Sequence, residues 1–296
     1  MNDDVKSKYL KAGSIAAKVR DQAVEMLKPG TLLLEVAEFV ETEIVKLGGK
    51  PAFPVNLAID SIAAHYTPHS EDTLRFNPGE LVKLDLGVHV DGYIADTAVT
   101  VEIATNKWAD LIRAASDSLD MVLDSITPGI QVRTLGSIIE RTIHSRGFEP
   151  VSNLTGHSLE RFNLHAGVSI PNIDDESIAD LKPGMAVAIE PFATNGAGRV
   201  AGRKSGNIYK QLRVKETNDS ELDALVKEIH DEFHFMPFPE RWVAKRVEKS
   251  EKMLKRLLRH GILATYPILS EIKGGMVSQS EHTIIITSEG SIVTTR

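Results

Sequence analysis

The sequence contains no cysteine among its 296 residues. This absence excludes disulfide bonds, thiolate metal sites and a cysteine nucleophile. The sequence also lacks any apolar run approaching the roughly 20 residues that a membrane-spanning helix needs. Its first residues, "MNDDVKSKYLKAG", carry acids where a secretory signal peptide has basic residues. We therefore expect a soluble, cytoplasmic protein without a membrane partner.

Strongly basic character is absent as well. The formal net charge is -7, which does not support a nucleic-acid-binding surface spread over the whole protein, although a local basic patch remains allowed. Hydrophobic residues make up 42% and charged residues 25% of the chain, a composition typical of globular proteins. A chain of this length buries about three quarters of its unfolded surface, so one large domain, with or without an insert, is expected.

Helical and strand-like patterns alternate along the chain. Apolar residues recur at helical spacing in two pairs of segments, 5–28 with 34–47 and 107–125 with 132–146, and strand-like segments follow each pair. An internal repeat connects the two units, because "NPGELVKLD" at 77–85 aligns with "KPGMAVAIE" at 182–190. The pattern predicts an α+β fold with two pseudo-symmetric half-domains, each with outer helices and an antiparallel sheet. Asp85 and Glu190 are then equivalent positions.

The segment "KLDLGVHVDGYIADTAVT" carries an aspartate in each of two apolar strands, Asp85 and Asp96. The dipeptide Asp91-Gly92 favours a two-residue hairpin turn, which predicts that Gly87 faces Asp96. Both aspartates then lie on one face as diagonal neighbours about 7 Å apart. Such carboxylates need cations between them, either one hard divalent ion or two ions about 3.5 to 4 Å apart. The alternative is a structural salt bridge with a distant arginine.

Further candidate ligands occur in similar apolar surroundings. Glu190 stands in "VAIEPF", Glu281 in "SQSEHTIIIT", and "NLTGHSLERFNLHAG" supplies His157 and His165. A single histidine is more often a core residue than a ligand, but several oxygen and nitrogen ligands on separate segments favour a metal site. The other histidines after residue 65 are not expected to bind metal: His69, His89, His144, His230, His234, His260 and His282.

With these segments identified, the sequence resembles the methionine aminopeptidases of the pita-bread fold, and specifically the type II enzymes of archaeal and eukaryotic kind. The resemblance covers nearly the whole chain. It implies a pita-bread catalytic domain over residues 1–296, with a helical subdomain inserted at 196–265. It also implies a metal-dependent hydrolase that removes the N-terminal methionine from nascent proteins and peptides when the second residue is small and uncharged.

The resemblance further implies a role for each candidate residue. Two divalent metal ions per chain are expected, as Co(II), Mn(II), Fe(II) or Zn(II), because an oxygen-rich site with one imidazole accepts all of these. In this interpretation Glu190 is the proton shuttle, His165 donates a hydrogen bond to the developing oxyanion, and His65 in "AAHYTP" contacts the scissile amide nitrogen. The implied metal ligands are Asp85, Asp96, His157, Glu190 and Glu281, with Asp96 and Glu281 bridging the two ions.

The same resemblance predicts a methionine pocket. Its lining would be Phe53, Leu164, Ile208 and Tyr266, together with the substrate-facing His65 and His165. Ile208 departs from the family pattern, since some type II relatives have a histidine there. A pocket this apolar suits a thioether side chain, with which an aromatic ring interacts by about 0.3 to 1.5 kcal/mol.

The implied insert contains a local concentration of basic residues. Its sequences "ELDALVKEIHDEF" and "RWVAKRVEKSEKMLKRLLRHG" predict two helical stretches, and residues 241–259 hold eight Lys or Arg against two Glu. A solvated helix face is the ordinary interpretation of such a segment. Docking near ribosomal RNA is the alternative. No exposed apolar seam is evident, so a monomer is expected.

Two other functions share this scaffold. A prolidase or aminopeptidase P has the same ligand set but carries a sizeable extra amino-terminal domain, for which the segment before His65 is too short. A non-catalytic relative that binds RNA or protein has lost metal ligands, whereas this chain has all five. Both functions are kept as alternatives to the aminopeptidase.

Overall fold

The computed structural model describes residues 1–296, apart from the side chain of Arg203. The helices are α1 (Asp3–Val24), α2 (Leu33–Lys46), α3 (Ala109–Ser125), α4 (Val132–Ser145), α5 (Ser220–Phe233), α6 (Glu240–Ala244) and α7 (Ser250–Arg259). The strands are β1 (Lys50–Pro51), β2 (Asn56–Ile59), β3 (Ile62–Ala64), β4 (Leu81–Val90), β5 (Tyr93–Glu102), β6 (Glu149–Pro150), β7 (Thr155–Leu159), β8 (Ser169–Pro171), β9 (Ala186–Ile189), β10 (Phe192–Thr194), β11 (Val200–Gln211), β12 (Phe238–Pro239), β13 (Leu263–Glu271), β14 (Val277–Gln279), β15 (His282–Ile286) and β16 (Ser291–Val293).

The first half packs two helices against an antiparallel sheet. The side chain of Asn2 caps α1 by accepting a hydrogen bond from the backbone N–H of Val5 at 2.9 Å. The apolar faces of α1 and α2 form one core with β4, which pairs with β5 on one edge and with β1 and β2 on the other. Helix α1 ends at Val24, four residues before the end of the predicted segment 5–28.

The β4–β5 hairpin has the predicted register. Gly87 pairs with Asp96 and Asp85 pairs with Ala98. The turn residues Asp91 and Gly92 both have positive φ, 52° and 85°, as a type I′ turn requires. The local turn chemistry therefore places both aspartates on one face of the sheet.

The second half repeats this order. Helices α3 and α4 pack on β9 and β15, in a sheet ordered β16-β15-β9-β7-β8. Glu190 directly follows β9, as Asp85 lies in β4 after the first helix pair. The two halves are joined where Thr283 Oγ1 accepts from the Asp96 backbone N–H at 2.7 Å and Thr97 Oγ1 donates to the Glu281 carbonyl at 2.9 Å. These bonds bring Asp96 next to Glu281.

The segment expected as an insert begins as a strand. Residues 200–211 form β11, which pairs with β13, and the segment is helical only from Ser220 onward. The prediction of one helical stretch over "RWVAKRVEKSEKMLKRLLRHG" (241–261) is wrong, because the stretch divides into α6 and α7. Lys249 has a φ of 61°, outside the helical region, and the Ser250 hydroxyl donates to the Glu240 carboxylate at the break. None of the helices among the described residues combines the length and the apolar character needed to span a bilayer.

Candidate active site

A cavity of about 240 Å³ lies where the two halves meet. Residues from both halves and from the segment after β11 contribute to its wall. The cavity is lined by every candidate site residue of the sequence analysis: Phe53, His65, Asp85, Asp96, His157, Leu164, His165, Glu190, Ile208, Tyr266 and Glu281.

Four carboxylates and one imidazole cluster at the floor of this cavity. His157 Nε2 lies 3.8 Å from Asp96 Oδ2 and 3.7 Å from Glu190 Oε1. Ligand atoms of Asp96, His157 and Glu281 all lie within 4.8 Å of one another, and these three side chains are 3%, 7% and 2% exposed. Asp85 is the diagonal neighbour of Asp96 across the hairpin.

The cluster has no protein cation to balance it. Among the described residues, none of the four carboxylates pairs with a Lys or Arg within 4.0 Å, which argues against the salt-bridge alternative. Lys83 precedes Asp85 by two residues, but its ammonium donates to the carbonyls of Asp60 at 2.7 Å and Leu81 at 3.3 Å. Buried oxygens of Asp85 and Asp96 have no hydrogen-bond partner. Unpartnered hard oxygens beside a neutral imidazole fit a divalent metal centre.

The pKa values of the cluster are also consistent with the absence of a neighbouring protein cation. Burial raises the pKa of Asp85 to about 7. Burial and the neighbouring charges of Asp85 and Glu190 raise the pKa of Asp96 well above its ordinary value, and burial with repulsion from the other acids does the same for Glu281. Burial lowers the pKa of His157 to about 3, so its ring is neutral at pH 7, the form that binds metal.

These shifts predict a pH-dependent stability difference in the metal-free protein. In the folded state Asp85 has a raised pKa, so the folded protein holds this proton more tightly than the unfolded chain does. Its contribution to the free energy of unfolding is therefore fully present below its unfolded pKa and is lost as pH rises from about 4 to about 7. Metal-free Asp85→Asn should therefore gain stability over metal-free wild type across that range. Urea unfolding of both proteins at about pH 5 and about pH 8 measures the difference. A pH-independent difference would contradict the prediction.

Gln279 is a site residue that the sequence reasoning missed. Its Nε2 lies 3.2 Å from Glu190 Oε2 and 3.5 Å from Glu281 Oε2. Strand β14 carries it and is fully buried. An uncharged amide in "SQSEH" gives no signal of its own, and Gln279 ends β14 whereas Glu281 lies between β14 and β15, so only the fold shows that the two side chains meet. Gln279 therefore orients two of the carboxylates.

Two further histidines stand above the carboxylates. His65 follows β3 with a φ of 66°, unusual for a non-glycine residue, and its Nδ1 lies 3.1 Å from the Pro267 carbonyl. Burial lowers the pKa of His65 and so favours the neutral ring. Because the Pro267 carbonyl can only accept, Nδ1 carries the ring proton and Nε2 is free to accept a hydrogen bond. Burial lowers the pKa of His165 to about 4, and its ring centroid lies 4.4 Å from that of His157.

Most of the remaining cavity wall is apolar, with Asn56, Asn153 and Thr155 as its polar residues. Phe53 and Ile208 are buried, and Tyr266 packs edge-on against His65 with centroids 5.1 Å apart. Gly87 is required beside Phe53, because a Cβ there would lie 2.2 Å from a ring carbon. The sequence reasoning did not identify the remaining apolar wall residues: Ala64, Leu154, Phe192 and Pro237.

The remaining histidines lie elsewhere. His282 points away from Glu281, with its Nδ1 2.8 Å from Thr295 Oγ1, and His144 Nε2 lies 3.1 Å from Glu149 at the surface. His89 accepts from the Gly92 backbone N–H at 3.0 Å. His230 and His234 face one another at the end of α5 with centroids 6.0 Å apart.

Comparison with known proteins gives a consistent family assignment. The model of "Metallopeptidase family M24" matches residues 7–288. The chain is 47% identical over 289 residues to a methionine aminopeptidase of Methanocaldococcus jannaschii, and the alignment covers 98% of each protein.

Two solved structures extend the comparison to the fold. A thermophilic Arx1 has a TM-score of 0.85 at 16% identity, covering 99% of this chain and 91% of the other. The prolidase from Pyrococcus furiosus has a TM-score of 0.65 at 19% identity, covering 100% of this chain and 64% of the prolidase. At such identities the likeness concerns the fold alone.

Proposed function

The chain belongs to metallopeptidase family M24, and from this membership we propose that it removes the N-terminal methionine from nascent proteins and peptides whose second residue is small and uncharged. Its activity as a metal-dependent methionine aminopeptidase agrees with relatives named so over nearly their full length. The same family and the structural neighbours confirm the pita-bread fold. The carboxylate and imidazole cluster in one cavity is the observation that carries the chemistry.

The proposed centre binds two divalent ions, as Co(II), Mn(II), Fe(II) or Zn(II). When bound, such ions activate water and polarise the scissile carbonyl. The five residues of the cluster would hold these ions, and Asp96 and Glu281 would be the ligands common to both. Asp96 is central, because it faces His157 at 3.8 Å and is joined to the segment of Glu281 by the Thr283 hydrogen bonds.

The protein side chains would move and hold the protons. Glu190 lies at the cavity surface beside His157, where its carboxylate accepts a proton from the attacking water and delivers it to the departing amine. His165, neutral and exposed to the cavity, donates to the oxyanion that develops on the scissile carbonyl. His65 accepts from the scissile amide N–H through Nε2, because Pro267 holds the other ring nitrogen.

Specificity is expected to come from the apolar wall. We expect efficient release of methionine from Met-Ala-Ser and Met-Val-Ser peptides and comparable release of norleucine from a norleucine-Ala-Ser peptide, because Ile208 offers the first side chain no polar partner. A Leu-Ala-Ser peptide should be cleaved at least about 10-fold more slowly, the usual value of a shape mismatch in an apolar pocket. Met-Lys and Met-Leu peptides should be poor substrates, because His65 and His165 crowd the second residue.

Chromatographic assay of the free amino acid measures these rates, and chelator provides the control. Equal rates for Leu-Ala-Ser and Met-Ala-Ser would contradict the proposed specificity. Preferential release of a first residue other than methionine that is followed by proline would favour a prolidase. Metal binding without any hydrolysis would favour a non-catalytic relative.

The proposal places the enzyme in the cytoplasm as a monomer, where nascent chains become available. The proposal also includes docking to the ribosome through residues 241–259. In the structure, neighbouring acids neutralise part of the positive charge of that segment. Lys245, Arg246, Lys255 and Arg256 pair with nearby acids, and Arg241 is buried. Within the described chain, Lys249, Lys252 and Arg259 are the exposed basic residues of the segment without such a pair.

Charge reversal tests the docking hypothesis. Replacing Lys249, Lys252 and Arg259 by Glu should weaken co-sedimentation with ribosomes at low salt and leave peptide hydrolysis unchanged, because these residues lie outside the cavity. Unchanged co-sedimentation would contradict docking through this segment.

A further inference from the structure

Arg241 is a fully buried cation outside the metal cluster, with 2% of its surface exposed. It lies in α6, and its guanidinium donates from Nη2 to the carboxylate of Glu41 on α2. Trp242 Nε1 donates to the other oxygen of that carboxylate at 2.7 Å. The ion pair with Glu41 balances the charge of Arg241 and uses only one of its two amino groups, Nη2.

The other amino group binds the loop that follows His65. Arg241 Nη1 donates to Thr67 Oγ1 and to the Pro68 carbonyl, both at 2.8 Å. Thr67 is itself 1% exposed, and its carbonyl accepts from Asn207 Nδ2 at 3.1 Å. The loop is therefore held by two side chains, Arg241 of α6 and Asn207 of β11.

His65 depends on that loop for its direction. Its backbone has a φ of 66°, a conformation that a residue with a side chain keeps only when its surroundings enforce it. On one side the enforcement comes from β13, through the Pro267 carbonyl and the Tyr266 ring. On the other side it comes from the bonds to Thr67 and Pro68, two and three residues along the chain.

We propose that Arg241 is a positioning residue for His65: the guanidinium, oriented by Glu41, fixes residues 67 and 68 and thereby the side chain that meets the scissile amide. This inference rests on the proposed function of His65. It gives the segment after β11 a part in the reaction, because α6 reaches across to the loop that follows β3. A small displacement of a catalytic group is sufficient to lower turnover by about 100-fold.

The test compares steady-state kinetics of four single variants and one double variant on Met-Ala-Ser peptide with saturating Mn(II). Arg241→Met removes both bonds to the loop, and Thr67→Val removes one bond while leaving the Arg241–Glu41 pair intact. His65→Ala removes the positioned group. Arg256→Met is the matched control, since it breaks an arginine–aspartate pair of the same segment, Arg256 with Asp219 at 2.6 Å, without touching the loop.

We expect kcat to fall by at least about 10-fold in Arg241→Met and by a smaller factor in Thr67→Val, with KM changed by less than about 3-fold. Arg256→Met should retain wild-type kcat. The decisive measurement is the double variant His65→Ala/Arg241→Met. Because Arg241 acts through His65, the second substitution should cost almost nothing once His65 is absent.

Additive losses in the double variant, or wild-type kcat in both folded Arg241→Met and Thr67→Val, would overturn the inference. If Arg241→Met fails to fold because Glu41 is left without its partner, Thr67→Val against His65→Ala/Thr67→Val supplies the same cycle. Failure of the proposed function is distinguishable, since it would appear as an inactive wild type or as a His65→Ala variant with wild-type kcat.

Discussion

Asp96→Asn is expected to abolish hydrolysis and to remove both metal ions. Asp96 is 3% exposed, lies 3.8 Å from His157 Nε2 and is proposed to bridge the ions. Asparagine keeps the shape of the side chain but lacks the charge that holds two cations. Loss of the several kcal/mol that bound metal supplies corresponds to about 1,000-fold or more in kcat/KM, at 1.36 kcal/mol per tenfold.

Metal analysis of purified protein, alongside the peptide assay, measures both effects. Asp85→Asn is the informative comparison, because it should mainly weaken the second ion. Asp219→Asn, which alters an aspartate at the start of α5 outside the cavity, should keep both ions and full activity. Two tightly bound ions in Asp96→Asn would contradict the bridging role.

Glu190→Gln is expected to lower kcat by about 100- to 10,000-fold, the range for loss of a general acid–base group, with a much smaller change in KM. The carboxylate lies 3.7 Å from His157 Nε2 and accepts from Gln279 Nε2 at 3.2 Å. The glutamine carbonyl can keep the bond from Gln279, so the fold should persist. The amide cannot accept a proton from water, which removes the shuttle.

Kinetics at saturating Mn(II), with metal content measured on the same sample, separate the shuttle from the ligand role. Glu160→Gln is a matched control, since Glu160 is exposed and does not line the cavity. Near-normal kcat in Glu190→Gln with metal bound would exclude proton transfer by this residue. A low kcat that recovers as metal is raised would assign Glu190 to metal binding alone.

Much of the site could be predicted from the sequence because its signals are local. A carboxylate within or beside an apolar strand is anomalous wherever it occurs. Asp85 and Asp96 lie within such strands, Glu190 directly follows one, and Glu281 directly precedes another. The Asp91-Gly92 turn determines the pairing of the strands on either side of it. The sequence alone therefore predicted that Asp85 and Asp96 lie on the same face of the sheet. The resemblance to a family then added the prediction that His65 and His165 face the substrate and the prediction of a methionine pocket.

Other features depended on contacts between distant parts of the chain. Gln279 is an ordinary amide until the fold brings Glu190 beside it, and Pro237 joins the cavity wall only because β12 pairs with β11.

Arg241 shows the difference most clearly. In the sequence it is one cation of a basic stretch, whereas in the fold it is buried against Glu41, 200 positions away, and against Thr67. Residue type and spacing determine which groups are costly to bury. Only the tertiary structure determines which partner offsets that cost, because the partner comes from a segment whose position is set by the packing of the whole chain.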